Sequence, residues 1–399
     1  MLSISQSRHS AEDRTPCYTV KKDAGLYIHI PFCESKCHYC AFNSRPRRGQ
    51  DISFYLAALF RQMETMARHP WSKSHRFTSL FIGGGTPTIY DSDSLCRLVD
   101  QGLGSFSFVA EPEISIEANP ETVEIRKLRR LKAAGVNRIS IGVQSFDDDI
   151  LAAIGRNHSA ETARGAILTA TEAGFTNVNL DLIFGLPGQN EELLEKSIET
   201  ALAFGVNHLA VYELMVEEHS RLQTLLLDRK LALPPERETV AMLKKTGRLL
   251  KAAGFERYEI SNYSKPGYRC LHNLNYWQNG SYLGLGAGAV SCFSGLRLVA
   301  EADPAAYVKA IDKMQYPYVE GEALSEAASL RETMILGLRR KEGIGLAAFR
   351  QAYPAELWKD YSAIIDRLCG ERLLVRSGRR LRLSARGLML ANRVLAELV

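Results

Sequence analysis

The chain has 399 residues, 46% of them hydrophobic, and its fifty Lys and Arg against forty-five Asp and Glu give a formal net charge of +5. That length suits one large domain or two ordinary ones, the composition is neither disordered nor fibrous, and so small a charge does not point to an anionic partner. No apolar run of about eighteen residues occurs, so no membrane span is expected.

The first residues, "MLSISQSRHSAEDRTPCYTVKKD", lack an apolar h-region and include three acidic side chains. They resemble neither a secretory signal nor an organelle transit peptide, and 1–23 reads as a flexible leader. Of eight cysteines, Cys33, Cys37 and Cys40 crowd together, while Cys17, Cys96, Cys270, Cys292 and Cys369 are scattered. That is no disulfide framework, and neighbouring thiols kept reduced suit the cytosol.

Three short apolar runs follow the leader: "LYIHI" (26–30), "SLFI" (79–82) and "EISIE" (113–117). Helical spacing lies between and after them at 52–68, 92–103 and 121–134. Four similar segments come next: "KAAGVNRISI" (132–141), "TEAGFTNVNL" (171–180), "LAFGVNHLAV" (202–211) and "KAAGFERYEI" (251–260). Each runs from a helix through Gly135, Gly174, Gly205 or Gly254 into another apolar run, placing glycine where a helix end needs positive φ. The expectation is an α/β fold with parallel strands near 26, 79, 113, 139, 178 and 208, buried on both faces, and a seventh near 257. Such a sheet, open or curved into a barrel, collects ligands at the C-terminal ends of its strands.

Polar residues stand at those ends. The three cysteines follow the first strand as C-x-x-x-C-x-x-C, "GGGTPT" (83–88) follows the second, and Glu117 ends the third. Gln144 and Arg156 follow the fourth, and Asp181 lies in the fifth. Three thiolates with a fourth ligand from His29 or His38 would make a closed zinc site. Three thiolates alone would suit an iron–sulfur cluster with one iron left open to a ligand. Glu117, Arg156 and Asp181 offer groups for the amine, carboxylate and ribose of such a ligand.

The spacing Cys33, Cys37, Cys40 after a first strand, with "GGGTP" after the second, resembles the radical S-adenosylmethionine superfamily. The resemblance implies a partial (β/α)6 radical SAM barrel, a [4Fe–4S] cluster on the three cysteines, and S-adenosyl-L-methionine on the open iron, cleaved to a 5′-deoxyadenosyl radical. "YIHIPFC", "SIEANPETV", "ISIGVQSF", "LDLIFGLPGQ", "YEISNYSKPG" and "HNLNYW" narrow it to the oxygen-independent coproporphyrinogen III oxidase-like group. Its S-adenosylmethionine contacts carry over to Tyr27, Gly84, Gly85, Thr86, Glu117, Gln144, Arg156 and Asp181. Oxidases of the group usually carry a fourth cysteine where this chain has Phe42, and have a longer N-terminal arm. Those departures favour the group's haem-chaperone branch over coproporphyrinogen III dehydrogenase, the alternative activity.

The branch implies haem at "HNLNYW", with His272 the leading ligand, Cys270 behind it, and Tyr276 and Trp277 available to cover a porphyrin face. The segment itself reads as a loop. Haem would pass to an acceptor protein, and an electron donor would serve the cluster. From 325 the pattern changes: helices at 326–340, 355–369 and 385–398 flank a hairpin around Ser377 and Gly378, a winged-helix-like arrangement. Six arginines between 372 and 386 raise nucleic-acid binding, but alternating apolar residues fit a solvated hairpin, and no nucleic acid is expected. The expected organisation is a barrel over 24–260, a connecting segment over 261–324 and a C-terminal domain over 325–399.

Overall fold

The computed structural model describes residues 23–47, 51–293 and 295–399; apart from Asp23, the expected leader lies outside them. Six parallel strands run β1 (Asp23–Ile30), β2 (Arg76–Gly84), β3 (Phe108–Ala118), β4 (Arg138–Gln144), β5 (Asn177–Phe184) and β6 (His208–Glu213), each hydrogen-bonded to the next in chain order. Helices α1 (Asp51–Ala67), α2 (Ser92–Ser105), α3 (Ile125–Ala133), α4 (Ala160–Glu172) and α5 (Glu191–Ala203) make the crossovers, and α6 (Glu236–Ala252) follows β6. Gly135, Gly174, Gly205 and Gly254 all adopt positive φ at the helix ends, as the repeated connector requires.

The strands are covered on both sides, but the two faces differ. Leu26, Ile28 and Ile30 of β1, Leu80 and Ile82 of β2, and Ile139, Ile141 and Val143 of β4 pack in the core shared with the helices. Residues of the opposite parity, among them Tyr27, Glu117, Arg138, Ser140, Asn179 and Asp181, face a cavity. The inner face is therefore polar, a distinction hidden by apolar content alone.

The seventh strand near 257 needs correction. β7 (Glu256–Arg257) and β8 (Asn262–Ser264) form an antiparallel pair on the far side of β6. The chain reverses there because the Arg257 guanidinium donates to the carbonyls of Glu259 and Ile260, and the Glu259 carboxylate accepts the Ser261 N–H. The parallel strand beyond the first six is instead β9 (Ser281–Leu285), paired with β1 on its open side. β10 (Val290–Phe293), β11 (Leu296–Ala300) and β12 (Tyr318–Ala323) extend that side antiparallel, giving a twelve-stranded sheet. The segment read as a connector thus supplies much of one flank.

The "HNLNYW" segment is also not a loop: it forms the short helix α7 (Leu271–Trp277). Its first N–H groups, which have no partner within the helix, are met by a carboxylate from a distant strand, since Glu113 accepts from the N–H of Leu271 at 2.9 Å and of His272 at 3.1 Å. A cap supplied from 158 residues away leaves no local trace in the sequence.

The C-terminal part has its own core of Leu330, Met334, Leu338, Phe349, Leu368, Leu381 and Val394. It comprises α8 (Glu326–Arg339), α9 (Leu346–Ala352), α10 (Ala355–Gly370) and a small sheet of β13 (Ile344–Gly345), β14 (Leu374–Ser377) and β15 (Arg380–Leu383), a winged-helix-like arrangement. The single last helix expected over 385–398 is broken at Leu390 (φ −115°, ψ 27°) into two short ones. Arg297 of β11 grips Glu332 of α8 with two 2.7 Å hydrogen bonds, fastening this part to the sheet. No helix among the described residues is long and apolar enough to cross a membrane.

Candidate functional site

The cysteine loop leaves β1 and is tied down on several sides. Arg45 N–H bonds the Pro31 carbonyl (2.9 Å), Arg47 N–H that of Cys33 (2.8 Å), His38 N–H that of Ile154 (2.9 Å), and Leu222 N–H that of His38 (2.8 Å). Cys33, Cys37 and Cys40 are free thiols, each half-buried. Burial pushes the Cys33 thiol up, an effect opposed by a hydrogen bond from Thr86. Arg156 Nη1 donates to Cys37 Sγ at 3.3 Å. Neither proposed histidine completes a tetrahedral set. His29 donates through Nε2 to the Asn43 carbonyl (2.8 Å) and accepts the Tyr27 hydroxyl at Nδ1 (2.9 Å); His38 Nδ1 bonds the Ala153 carbonyl (3.2 Å). Among the described residues, no three His, Cys, Asp or Glu side chains converge as holders of a single metal ion.

The glycines after β2 stand directly behind this loop. Gly85 donates to the Ile30 carbonyl and Thr86 to the Phe32 carbonyl, both at 2.7 Å. A Cβ on Gly85 would meet the Phe32 carbonyl oxygen at 2.5 Å and Cys33 Sγ at 2.9 Å. Gly84 has φ 115°, and its N–H donates to Glu117 Oε2 at 3.0 Å. Thr86 is 1% exposed and sits behind the wall, accepting from Asn119 Nδ2 at 2.9 Å.

The lumen gathers the remaining residues. Tyr27, Gly84, Gly85, Glu117, Gln144, Arg156, Asp181 and His272 line one cavity of about 490 Å³ together with the three cysteines. Burial, and next the Asp181 charge, push Glu117 up to about 7, against the pull of the Gly84 N–H. Burial also raises Asp181, although Asn179 and Ser140 donate to its carboxylate at 2.8 and 3.4 Å. Arg156 Nη2 donates to Asn119 Oδ1 (2.9 Å) and the Gly142 carbonyl (2.6 Å), while its Nε is buried with no partner. Gln144 holds φ 67° where the β4–β5 register shifts, a strained backbone for a residue with a side chain.

His272 is part of the cavity wall but only 1% exposed. Its Nδ1 is hydrogen-bonded to Ser79 Oγ (2.8 Å) and its Nε2 to Tyr276 OH (3.0 Å), and its ring stacks on Phe81. Burial pushes it down to about 3, so the ring is neutral. Ligation of a metal by His272 would require it to release one of those hydroxyls. Cys270 is fully buried, and its thiol, pushed up to about 12 by burial, donates to Glu113. Trp277 lies under the Arg339 guanidinium, 4.6 Å from the ring centroid, rather than over the cavity.

Arg138, Asn119, Asn179 and Tyr39 also line the cavity and were not anticipated. The signal for Arg138 was available: in "RISIGVQ" it has the parity of Ser140, Gly142 and Gln144.

Residues 27–201 match the Radical SAM superfamily and 324–390 the HemN C-terminal domain. The chain is 37% identical to heme chaperone HemW of Bacillus subtilis, over 92% of this chain and 97% of that one. It is 31% identical to the mitochondrial radical S-adenosyl methionine domain-containing protein 1 of Danio rerio, over 98% and 90% respectively. The solved structure of coproporphyrinogen III oxidase HemN from Escherichia coli superposes with a TM-score of 0.82 at 24% identity, covering 96% of this chain and 92% of that one. That likeness is one of fold.

Proposed function

The chain belongs to the HemW branch of the radical S-adenosylmethionine superfamily, and from that membership we propose that it holds a [4Fe–4S] cluster, S-adenosylmethionine and haem, and hands the haem to an acceptor protein. The observation that carries this reading is the placing of three free thiols on the wall of the same polar cavity as Glu117, Arg156 and Asp181.

The donor set fits the groups. Three free thiols on one short loop are the donors that three irons of a cluster would take. A buried Arg156 Nε without a partner and two carboxylates raised by burial are groups that a ligand with an ammonium, a carboxylate and hydroxyls would satisfy. Cys33, Cys37 and Cys40 would hold the cluster, which when bound supplies one electron, received from a donor, to the sulfonium of S-adenosylmethionine. Gly84, Gly85 and Thr86 would hold the cysteine loop against the rim. Glu117, Gln144, Arg156 and Asp181 would orient the ligand, with Tyr27 below them. The names of its relatives support haem as a further ligand of this protein, with His272 its candidate ligand once Ser79 or Tyr276 is released.

Iron and acid-labile sulfide in anaerobically purified protein, followed by haem titration, test the proposal. About four irons and four sulfides per chain, and a Soret shift weakened in His272→Ala, are expected. Tightly held zinc without sulfide would overturn the cofactor reading, and an unchanged titration in His272→Ala would remove that residue. Formation of protoporphyrinogen from coproporphyrinogen III with S-adenosylmethionine would favour the dehydrogenase instead.

A further inference from the structure

The assigned cofactor residues leave one part of the cavity wall unused. Arg138 opens β4, lines the cavity, and is only 2% exposed. A guanidinium keeps its charge at every accessible pH and carries five N–H donors in a planar fork. Yet Arg138 Nε is buried with no hydrogen-bond partner, and among the described residues the side chain forms no ion pair.

The groups around it are already engaged. Both oxygens of Glu113 cap α7, and Asp181 accepts from Asn179 and Ser140. His208 bonds Asn179 and Tyr258, and His272 bonds Ser79 and Tyr276. Both rings are pushed down, by burial first and by the Arg138 charge second, so neither adds a second cation. Burial disfavours the charged guanidinium, but the neighbouring Cys270, Glu113, Tyr258 and Asp181 hold it charged, and its Nε, still without an acceptor, leaves the fork a donor for an incoming anion.

We propose that Arg138 is a carboxylate-binding residue, its guanidinium receiving a carboxylate arm of a ligand that reaches into the barrel. A carboxylate matches the fork in bidentate fashion, whereas chloride or an amide does not. This assignment rests on the barrel interior alone and stands whether or not the cofactor reading holds. The competing role is charge balance for Glu113 and Asp181 alone, which predicts no specific response to an added carboxylate.

The test is thermal unfolding of the anaerobically reconstituted full-length protein with sodium propionate, propionamide or sodium chloride, at matched ionic strength. Propionate raises the midpoint of the wild type, and the other two additives do not. Arg138→Met shows no propionate shift, whatever its midpoint without additive. Arg138→Lys, a charge without the fork, shows a smaller propionate shift. A wild-type response to propionate no larger than to propionamide overturns the proposal, as does a propionate shift retained in Arg138→Met.

Discussion

Gly85→Ala tests how the cysteine loop is held. Gly85 does not occupy the left-handed region, so alanine meets no backbone strain there, and the whole effect comes from contact. The new methyl would sit 2.5 Å from the Phe32 carbonyl oxygen, roughly an ångström short of comfortable contact, and 2.9 Å from Cys33 Sγ. Neither neighbour can retreat freely. The Phe32 carbonyl accepts the Thr86 N–H at 2.7 Å, and the Cys33 carbonyl accepts the Arg47 N–H at 2.8 Å. Overpacking of this kind costs about 1–3 kcal/mol and displaces Cys33 relative to Cys37 and Cys40. Disturbing the groups behind a metal ligand weakens metal retention by about 10-fold or more. The assay is iron and sulfide content after anaerobic purification and competition with a chelator, beside the unfolding midpoint. Gly104→Ala is the control, because an added Cβ there meets nothing within 4 Å and the site lies in α2; it should be neutral or stabilising by up to about 1 kcal/mol. Wild-type iron, sulfide and midpoint in Gly85→Ala would refute the reasoning.

Two further substitutions probe the lumen. Glu117 keeps its proton to about 7 when folded and releases it near 4.5 when unfolded, so the folded state binds more protons between those values and stability falls as pH rises through them. Across that window the wild type should lose on the order of 3 kcal/mol that Glu117→Gln does not, measured by denaturant unfolding of cluster-free protein; parallel profiles would show that Glu117 titrates normally. Arg156→Met removes the donor to Cys37 Sγ, Asn119 Oδ1 and the Gly142 carbonyl and should cost about 1–3 kcal/mol. It should weaken S-adenosylmethionine binding in equilibrium dialysis far more than haem binding, and equal losses would reduce Arg156 to a structural brace.

What the sequence made legible follows from which interactions are local. The helix-to-strand glycines repeat because each helix end needs the same backbone turn, and all four have the positive φ that the repeat demands. The cysteine spacing, the glycine run and the polar strand ends were visible, and the parallel sheet gathers them around one cavity. Hidden from view were features that depend on a distant partner. α7 owes its capped end to Glu113, and β9 pairs with β1 although "GSYLGLGAGAV" is interrupted by glycines. The strand near 257 is present but short and antiparallel, for the opposite reason: Arg257 reaches three residues ahead and closes a reversal. His272 illustrates the ambiguity that remains in any motif, since its ring satisfies two hydroxyls and stacks on Phe81 within the very segment that suggests a ligand.

The alternation within each strand also explains how a barrel can be lined with ionisable groups and still fold. The outward residues, such as Leu26, Ile28, Ile139, Ile141, Leu180 and Leu209, are fully buried against the helices. They supply burial that each contributes about 1.5–3 kcal/mol. The inward residues contribute little of that, and several, Glu117 and Asp181 among them, are held against the preference of their charged forms for water. Substitutions of inward residues should therefore change binding and pH response more than stability, while truncation of Leu180 or Ile139 should cost about 2–5 kcal/mol and leave the chemistry of the lumen to fail only with the fold. The stability of the molecule resides outside the sheet and its chemistry inside, which is why one register of the sequence reads as ordinary core and the other as a site.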